Sequence, residues 1–239
     1  MRRAMVLVIL VACSCASTAR RVEAQTQTQT QAKPPSYTAL PAGSAGGAQE
    51  VDAVAARIED DIITESEVRE LMAFQQLVDG HAKPRPEVIQ ELADQWVVRG
   101  EANTAKFPAP SKEDVDRATA QFEEQFTEPG EFEKRRAAAG ISESAIRRMV
   151  EQQLFLARFI DYRFRPAAQV DQKQIADYYN DEFAAQLKGR GETVPPLDDV
   201  EDTIREVLIQ RAITDRANKW LEDTRPTLKI DIVSAGGTK

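Results

Sequence analysis

Histidine and cysteine are almost missing from this chain. Its 239 residues include one His, His81, and two Cys, Cys13 and Cys15, both near the N-terminus. Metal sites need clustered His, Cys or carboxylates, so only carboxylates are left to form one. The acidic pairs Asp60/Asp61, Asp181/Glu182 and Asp198/Asp199 fall at turns or helix starts, where the helix dipole favours negative charge. His81 lies between Gly80 and the Pro84/Pro86 pair. A general base needs an orienting partner within reach, and the bland reading is a surface histidine in a loop. Gly-rich phosphate loops and nucleophile elbows do not occur. The expectation is a chain with no catalytic residue, no metal ligand and no cofactor.

Long apolar runs are also scarce. The stretch Ala4–Ala12 is too short to anchor in a bilayer, which takes about 20 residues. It follows the basic Met1-Arg2-Arg3, and Val22-Glu23-Ala24 precedes Gln25. That order describes a secretory signal over residues 1–24. A second reading stays open. Leu10-Val11-Ala12-Cys13 matches a lipobox, which would leave the protein anchored through a diacylated Cys13. In both cases the folded body has no cysteine, and its core must hold it without disulfides. Removing residues 1–24 takes away Arg2, Arg3, Arg20, Arg21 and Glu23, so the formal charge of −8 becomes −11. A charge of that sign repels phosphates and argues against nucleic acid as a partner.

Residues 25–50 are rich in Gln, Thr, Pro, Gly and Ala without apolar periodicity. They read as a disordered linker. The body starts at residue 51. Val54-Ala55-Ala56 with Ile58 and then Ile62-Ile63 are short apolar runs around the acidic turn Glu59-Asp60-Asp61, which describes a hairpin. Thr64 and Glu67 have the spacing of a capping box, so a helix follows directly and ends before Gly80. Pro84 and Pro86 start a second helix with Val88, Ile89, Leu92, Trp96 and Val97 on one face. Ser111 caps a third, a short fourth stops at Gly140, and Ser142 caps a long fifth that Pro166 ends. That fifth helix is apolar over most of its circumference, which predicts the central, most buried position. Asp171 opens a sixth helix. Pro195 and Pro196 precede the last one, from about Leu197 to Asp223, with Val200, Ile204, Val207, Leu208, Ile213, Trp220 and Leu221 on its apolar side. Leu228, Ile230 and Ile232 then alternate with polar neighbours, a half-buried strand. Residues 234–239 are a tail. The fold expected is mainly α: a helical body with a small antiparallel sheet formed by the N-terminal hairpin and the C-terminal strand.

Eight aromatics stand at helical spacing: Phe122, Phe126, Phe155, Phe159, Phe164, Tyr178, Tyr179 and Phe183. Such residues are core more often than ligand surface, yet they could also line a groove for apolar peptides. Phe126, Tyr178, Tyr179 and Phe183 are the candidates for contact with a bound chain. Tyr178 lies off the Ile175/Tyr179/Phe183 face and is expected to be the most exposed.

The run VDAVAARIEDDIITESEVRELM, the helix at 86–105, PSKEDVDRATAQFEEQF, EFEKRRAAAGISESAIRRMVEQQLFLARFI and VPPLDDVEDTIREVLIQRAITDRANKWLEDTRPTLKIDIV resemble, in that order, the chaperone core of SurA-type periplasmic chaperones. The likeness covers most of residues 51–233, with N-terminal helices at 51–187 and a C-terminal helix and strand at 195–233. Such proteins usually carry one or two parvulin-type prolyl isomerase domains, each roughly a hundred residues, a normal small-domain size. Here the gap between Val170 and Val194 has room for about one helix, and no isomerase signature occurs in it. The resemblance implies an ATP-independent chaperone of the periplasm of a Gram-negative-type bacterium. Its partners would be unfolded protein or peptide clients, including outer-membrane β-barrel precursors, and it would meet a membrane only if lipidated at Cys13. The alternatives are a divergent peptidyl-prolyl isomerase and a membrane-tethered interaction scaffold.

Overall fold

In a computed structural model of the chain, the described residues are 52–233. The expected signal segment 1–24, linker 25–50 and tail 234–239 lie outside them. The chain opens with β1 (Val54–Ile58) and β2 (Asp61–Thr64), joined by a two-residue turn at Glu59-Asp60. The acidic turn is one residue shorter than its composition suggests. Asp61 belongs to β2, opposite Ile58, and its carboxylate accepts a 2.8 Å hydrogen bond from the Trp96 indole. Glu59 has a positive φ of 48°, the left-handed conformation that the tight turn requires. Its backbone N–H donates to the Lys229 carbonyl at 3.0 Å, and its carboxylate accepts from the Lys229 N–H at 2.7 Å.

That link brings the end of the chain to its start. β3 (Ile230–Ile232) pairs antiparallel with β1, placing Ile58 opposite Ile230 and Ala56 opposite Ile232 in a sheet of order β2-β1-β3. A bulge at Val54/Ala56 adds a residue to β1, so Ala55 and Ala56 are both fully buried despite being neighbours. The alternation at the C-terminus describes the pairing better than the burial. Leu228 and Ile230 are half-buried, whereas Ile232 stays 47% exposed, because β3 is an edge strand and none of the described residues covers its end.

Helix starts follow local chemistry. The Thr64 hydroxyl accepts from the Glu67 N–H and the Glu67 carboxylate accepts from the Thr64 N–H, opening α1 (Glu65–Asp79), which closes on the left-handed Gly80. α2 (Arg85–Thr104) starts behind Pro84. Ser111 caps α3 (Lys112–Glu123), and α4 (Glu131–Ala139) ends on the left-handed Gly140. Ser142 caps α5 (Glu143–Phe164), and an Asp171/Gln174 capping box opens α6 (Gln172–Tyr178). α7 (Ala184–Gly189) and α8 (Leu197–Thr224) complete the set.

Two apolar clusters fill the interior. The first joins the sheet to α1, the first half of α2, Phe122 of α3 and the first half of α5. The second joins the later halves of α2 and α5 to Ile213, Ala217 and Leu221 of α8. The expectation that α5 is the most buried helix is corrected, although it does contact α1, α2, α3 and α8. α2 is the helix buried on more than one side, with Asp94 and Gln95 enclosed as well as its apolar face. On α5, Leu154, Phe155 and Ala157 are only half-buried. α8 returns onto α5, α6 and the second half of α2, and its Val207 faces solvent instead of the core.

Candidate functional site

α5 is the element around which exposed chemistry is organised. α3 lies along it, and α4 packs against α1 near its N-terminal end. The Ser111 cap fixes the first turn of α3 and so places Val115 and Phe122 inward, both buried. Two carboxylates on the same turn hold α3 to α5: Asp114 with Arg158 at 2.9 Å and Asp116 with Arg147 at 2.6 Å. The Arg158 guanidinium, and next the Ser111 hydroxyl, hold the Asp114 carboxyl down at about 2. Lys112, and next Arg147, lower the Asp116 carboxyl too. Beyond these pairs, Phe122 stacks on Phe74 with ring centres 5.4 Å apart. Phe126 lies 5.6 Å from Phe122 and 5.4 Å from Phe132, with the Arg135 guanidinium 5.6 Å over its face. A cleft of about 240 Å³ opens between α3, α4 and α5, with Phe132 and Ile146 as its apolar surfaces and Glu123, Glu143, Ser144 and Arg147 among its polar ones.

The other end of α5 carries a second aromatic group. Phe107 folds back because its N–H donates to the Ala102 carbonyl at 2.9 Å, just after Lys106 takes a φ of 52°. Its ring lies 5.9 Å from Phe155, 5.5 Å from Phe159 and 5.3 Å from Tyr162. Phe159 is buried, whereas Tyr162 is 63% exposed. One turn away, Arg163 lies 4.6 Å over the Trp220 ring, which meets Phe164 at 5.8 Å.

Tyr178, Tyr179 and Phe183 form a third group. The segment from Gln172 to Gly189 is not one regular helix, because Tyr179–Phe183 widens to a π turn in which the Ala184 N–H donates to the Tyr179 carbonyl. Tyr179 and Phe183 stack at 5.9 Å, and the Tyr179 hydroxyl donates to the Pro195 carbonyl at 2.7 Å. Tyr178 is half-buried, contrary to its expected exposure. Arg211 of α8 lies 4.7 Å over its ring while both guanidinium nitrogens grip Glu182 at 2.9 and 2.8 Å. Arg211 lowers the Glu182 carboxyl accordingly.

Of the four sequence candidates, Phe126 therefore belongs to the α3–α4 group, and Tyr178, Tyr179 and Phe183 to the α6–α7 group. Tyr162 and Phe107 were not among the candidates. Tyr162 continues the Phe155/Phe159 row at helical spacing, which is the signal that would have found it. His81 is exposed, with Nδ1 3.1 Å from the Asp79 carbonyl oxygen. Among the described residues no three His, Cys, Asp or Glu side chains are grouped to hold a metal ion, and no helix is long and apolar enough to cross a membrane. Compared with protein-family models and with curated protein sequences, the chain gives no match.

Proposed function

We propose that this protein is an exported, ATP-independent chaperone that holds unfolded polypeptides, outer-membrane β-barrel precursors among them, in the periplasm without isomerising their prolines. The observation that carries this reading is α5, which leaves half-buried or exposed aromatics next to both of its ends, Phe126 and Phe132 at one and Phe107, Phe155 and Tyr162 at the other. Apolar surface of this kind holds a chain weakly through burial of its side chains. The acidic body keeps such complexes soluble. A hairpin closed by the C-terminal strand over a helical body is also the architecture that the resemblance to SurA-type chaperones implies.

The test is direct. Purified residues 25–239 should suppress aggregation of a denatured β-barrel protein on dilution, in the absence of ATP. They should leave Xaa-Pro isomerisation at its uncatalysed pace of tens to hundreds of seconds. Aggregation that proceeds unchanged would overturn the chaperone reading, and accelerated isomerisation would favour an enzyme. Intact mass of the protein from its native host reads the N-terminus: Gln25 first for a soluble form, a diacylglyceryl adduct on Cys13 for a tethered one.

A further inference from the structure

We infer that the cleft between α3, α4 and α5 receives a segment of unfolded chain in which a large apolar side chain stands beside Lys or Arg. This rests on the chaperone reading and specifies the client it prefers. The cleft's volume of about 240 Å³ falls below the roughly 300–1,000 Å³ of sites for drug-sized ligands. It suits an inserted side chain. Phe132, half-buried, supplies the surface such a side chain would bury against, backed by the buried Ile146.

The charges around the cleft are unevenly compensated. Asp114 and Asp116, at the start of α3, are each held by two cations. At the far end of α3 the pattern reverses. Glu123 lines the cleft in the last helical turn and Glu124 follows it, with no basic residue in that turn. Those carboxylates stand where the free carbonyls of the helix already concentrate negative potential. The Glu123 carboxylate has no hydrogen bond or ion pair among the described residues, while its backbone carbonyl accepts from the Phe126 N–H at 3.1 Å. Glu143, on the opposite wall, meets Arg136 at only 3.7 Å. The nearby cations are committed elsewhere: Arg147 to Asp116 at 2.6 Å, Arg135 to Glu131 at 2.6 Å, and Arg136 to Glu133 at 2.6 Å. A cleft with Phe132 at its surface, the Glu123 carboxylate unpaired among the described residues on one wall and Glu143 only loosely paired to Arg136 on the other is complementary to a cation carried next to an apolar side chain. It is repellent to an acidic segment.

Fluorescence anisotropy with a labelled unstructured peptide bearing Leu and Phe between lysines, and with its Glu counterpart, tests this. The Lys peptide should bind residues 25–239 more tightly than the Glu peptide, and added salt should weaken it. Paired substitution Glu123→Gln and Glu143→Gln, both on exposed side chains, should weaken the Lys peptide about five- to tenfold and flatten the salt dependence. Ser144→Phe, at an exposed position on the cleft wall, should block both peptides while the melting temperature holds. Lys-peptide binding that is indifferent to all three substitutions, or equal affinity for the two peptides, overturns the assignment. If aggregation is still suppressed in that case, the chaperone reading survives with its clients on another face. If the peptide binds and responds to the substitutions but aggregation is not suppressed, the cleft stands and the chaperone reading falls.

Discussion

Arg225, just past the end of α8, grips Asp94 in the middle of α2. Its Nε donates to Oδ1 at 2.8 Å and Nη2 to Oδ2 at 2.7 Å across 131 residues of sequence. The Asp94 side chain is 5% exposed and the Arg225 side chain 27%. The carboxylate beside it raises the Arg225 pKa further. Gln90 adds a hydrogen bond to Asp94 Oδ1 at 3.2 Å. The pair pins the return of α8 at the place where both apolar clusters meet α2.

Arg225→Ala should therefore cost about 3 kcal/mol, because it leaves an enclosed carboxylate without its cation. The double variant Asp94→Leu/Arg225→Met should recover most of that loss, since it removes the buried charge together with its partner. Chemical denaturation of the single and double variants is the measurement. A double variant no more stable than the single one would show that the pair does more than neutralise itself.

Deleting residues 228–239 tests the sheet. It removes Leu228 and Ile230, each half-buried, and uncovers the edge of β1 at Ala56 and Ile58. Burial of a whole aliphatic side chain stabilises by about 1.5–3 kcal/mol, so these partial burials amount to about 2–3 kcal/mol. In a chain of this size that lowers the melting temperature by about 5–10 °C. An unchanged melting temperature would make β3 an energetically idle extension. Complete loss of folding would mean that docking of α8 depends on β3.

Acid should loosen α3 late. The Asp114 carboxyl is held at about 2, below its ordinary 3.8, so the folded state binds fewer protons there than the unfolded chain. Its contribution is complete above about pH 4 and is lost as the pH falls through about 2. Asp116 shifts in the same direction. In Asp114→Asn the stability-against-pH curve should be flatter between about pH 4 and 2 than in the parent. Protection factors over residues 112–123, referred to the intrinsic exchange rate at each pH, should be lower at pH 2 than at pH 5 in the parent. Parallel stability curves for variant and parent would count against the ion pairs as the hold on α3.

Phe159 and Tyr162 are ring neighbours 6.5 Å apart with opposite burial, 2% and 63% exposed. Phe159→Ala should cost about 3–5 kcal/mol through the cavity it leaves. Tyr162→Ser should stay within about 0.5 kcal/mol of the parent. Denaturation midpoints decide between this division and one in which the Phe107 group works as a single packed unit.

The sequence by itself determined where the capped helices start and where two of them stop. Thr64 with Glu67, Ser111, Ser142 and Asp171 with Gln174 each satisfy amides within a few residues of themselves, and Gly80 and Gly140 take the left-handed conformation that closes a helix. None of this needs the rest of the chain. The period-two pattern of Leu228, Ile230 and Ile232 likewise announced a strand. Only the tertiary structure decided how deeply each element is buried, because burial depends on what arrives from far away in sequence. Asp94 and Gln95 look like the polar side of α2 until α8 and α5 return, with Arg225 and Gln152 to satisfy them. Tyr178 looks exposed until Arg211 covers it. Ile232 looks buried, but it lies on an edge strand that no described residue covers. The cleft is the clearest case. Glu123 and Glu143 are unremarkable acids at a helix end and a helix start, and only the packing of α3 on α5 and of α4 on α1 sets them across the same opening, beside Phe132 and Ile146.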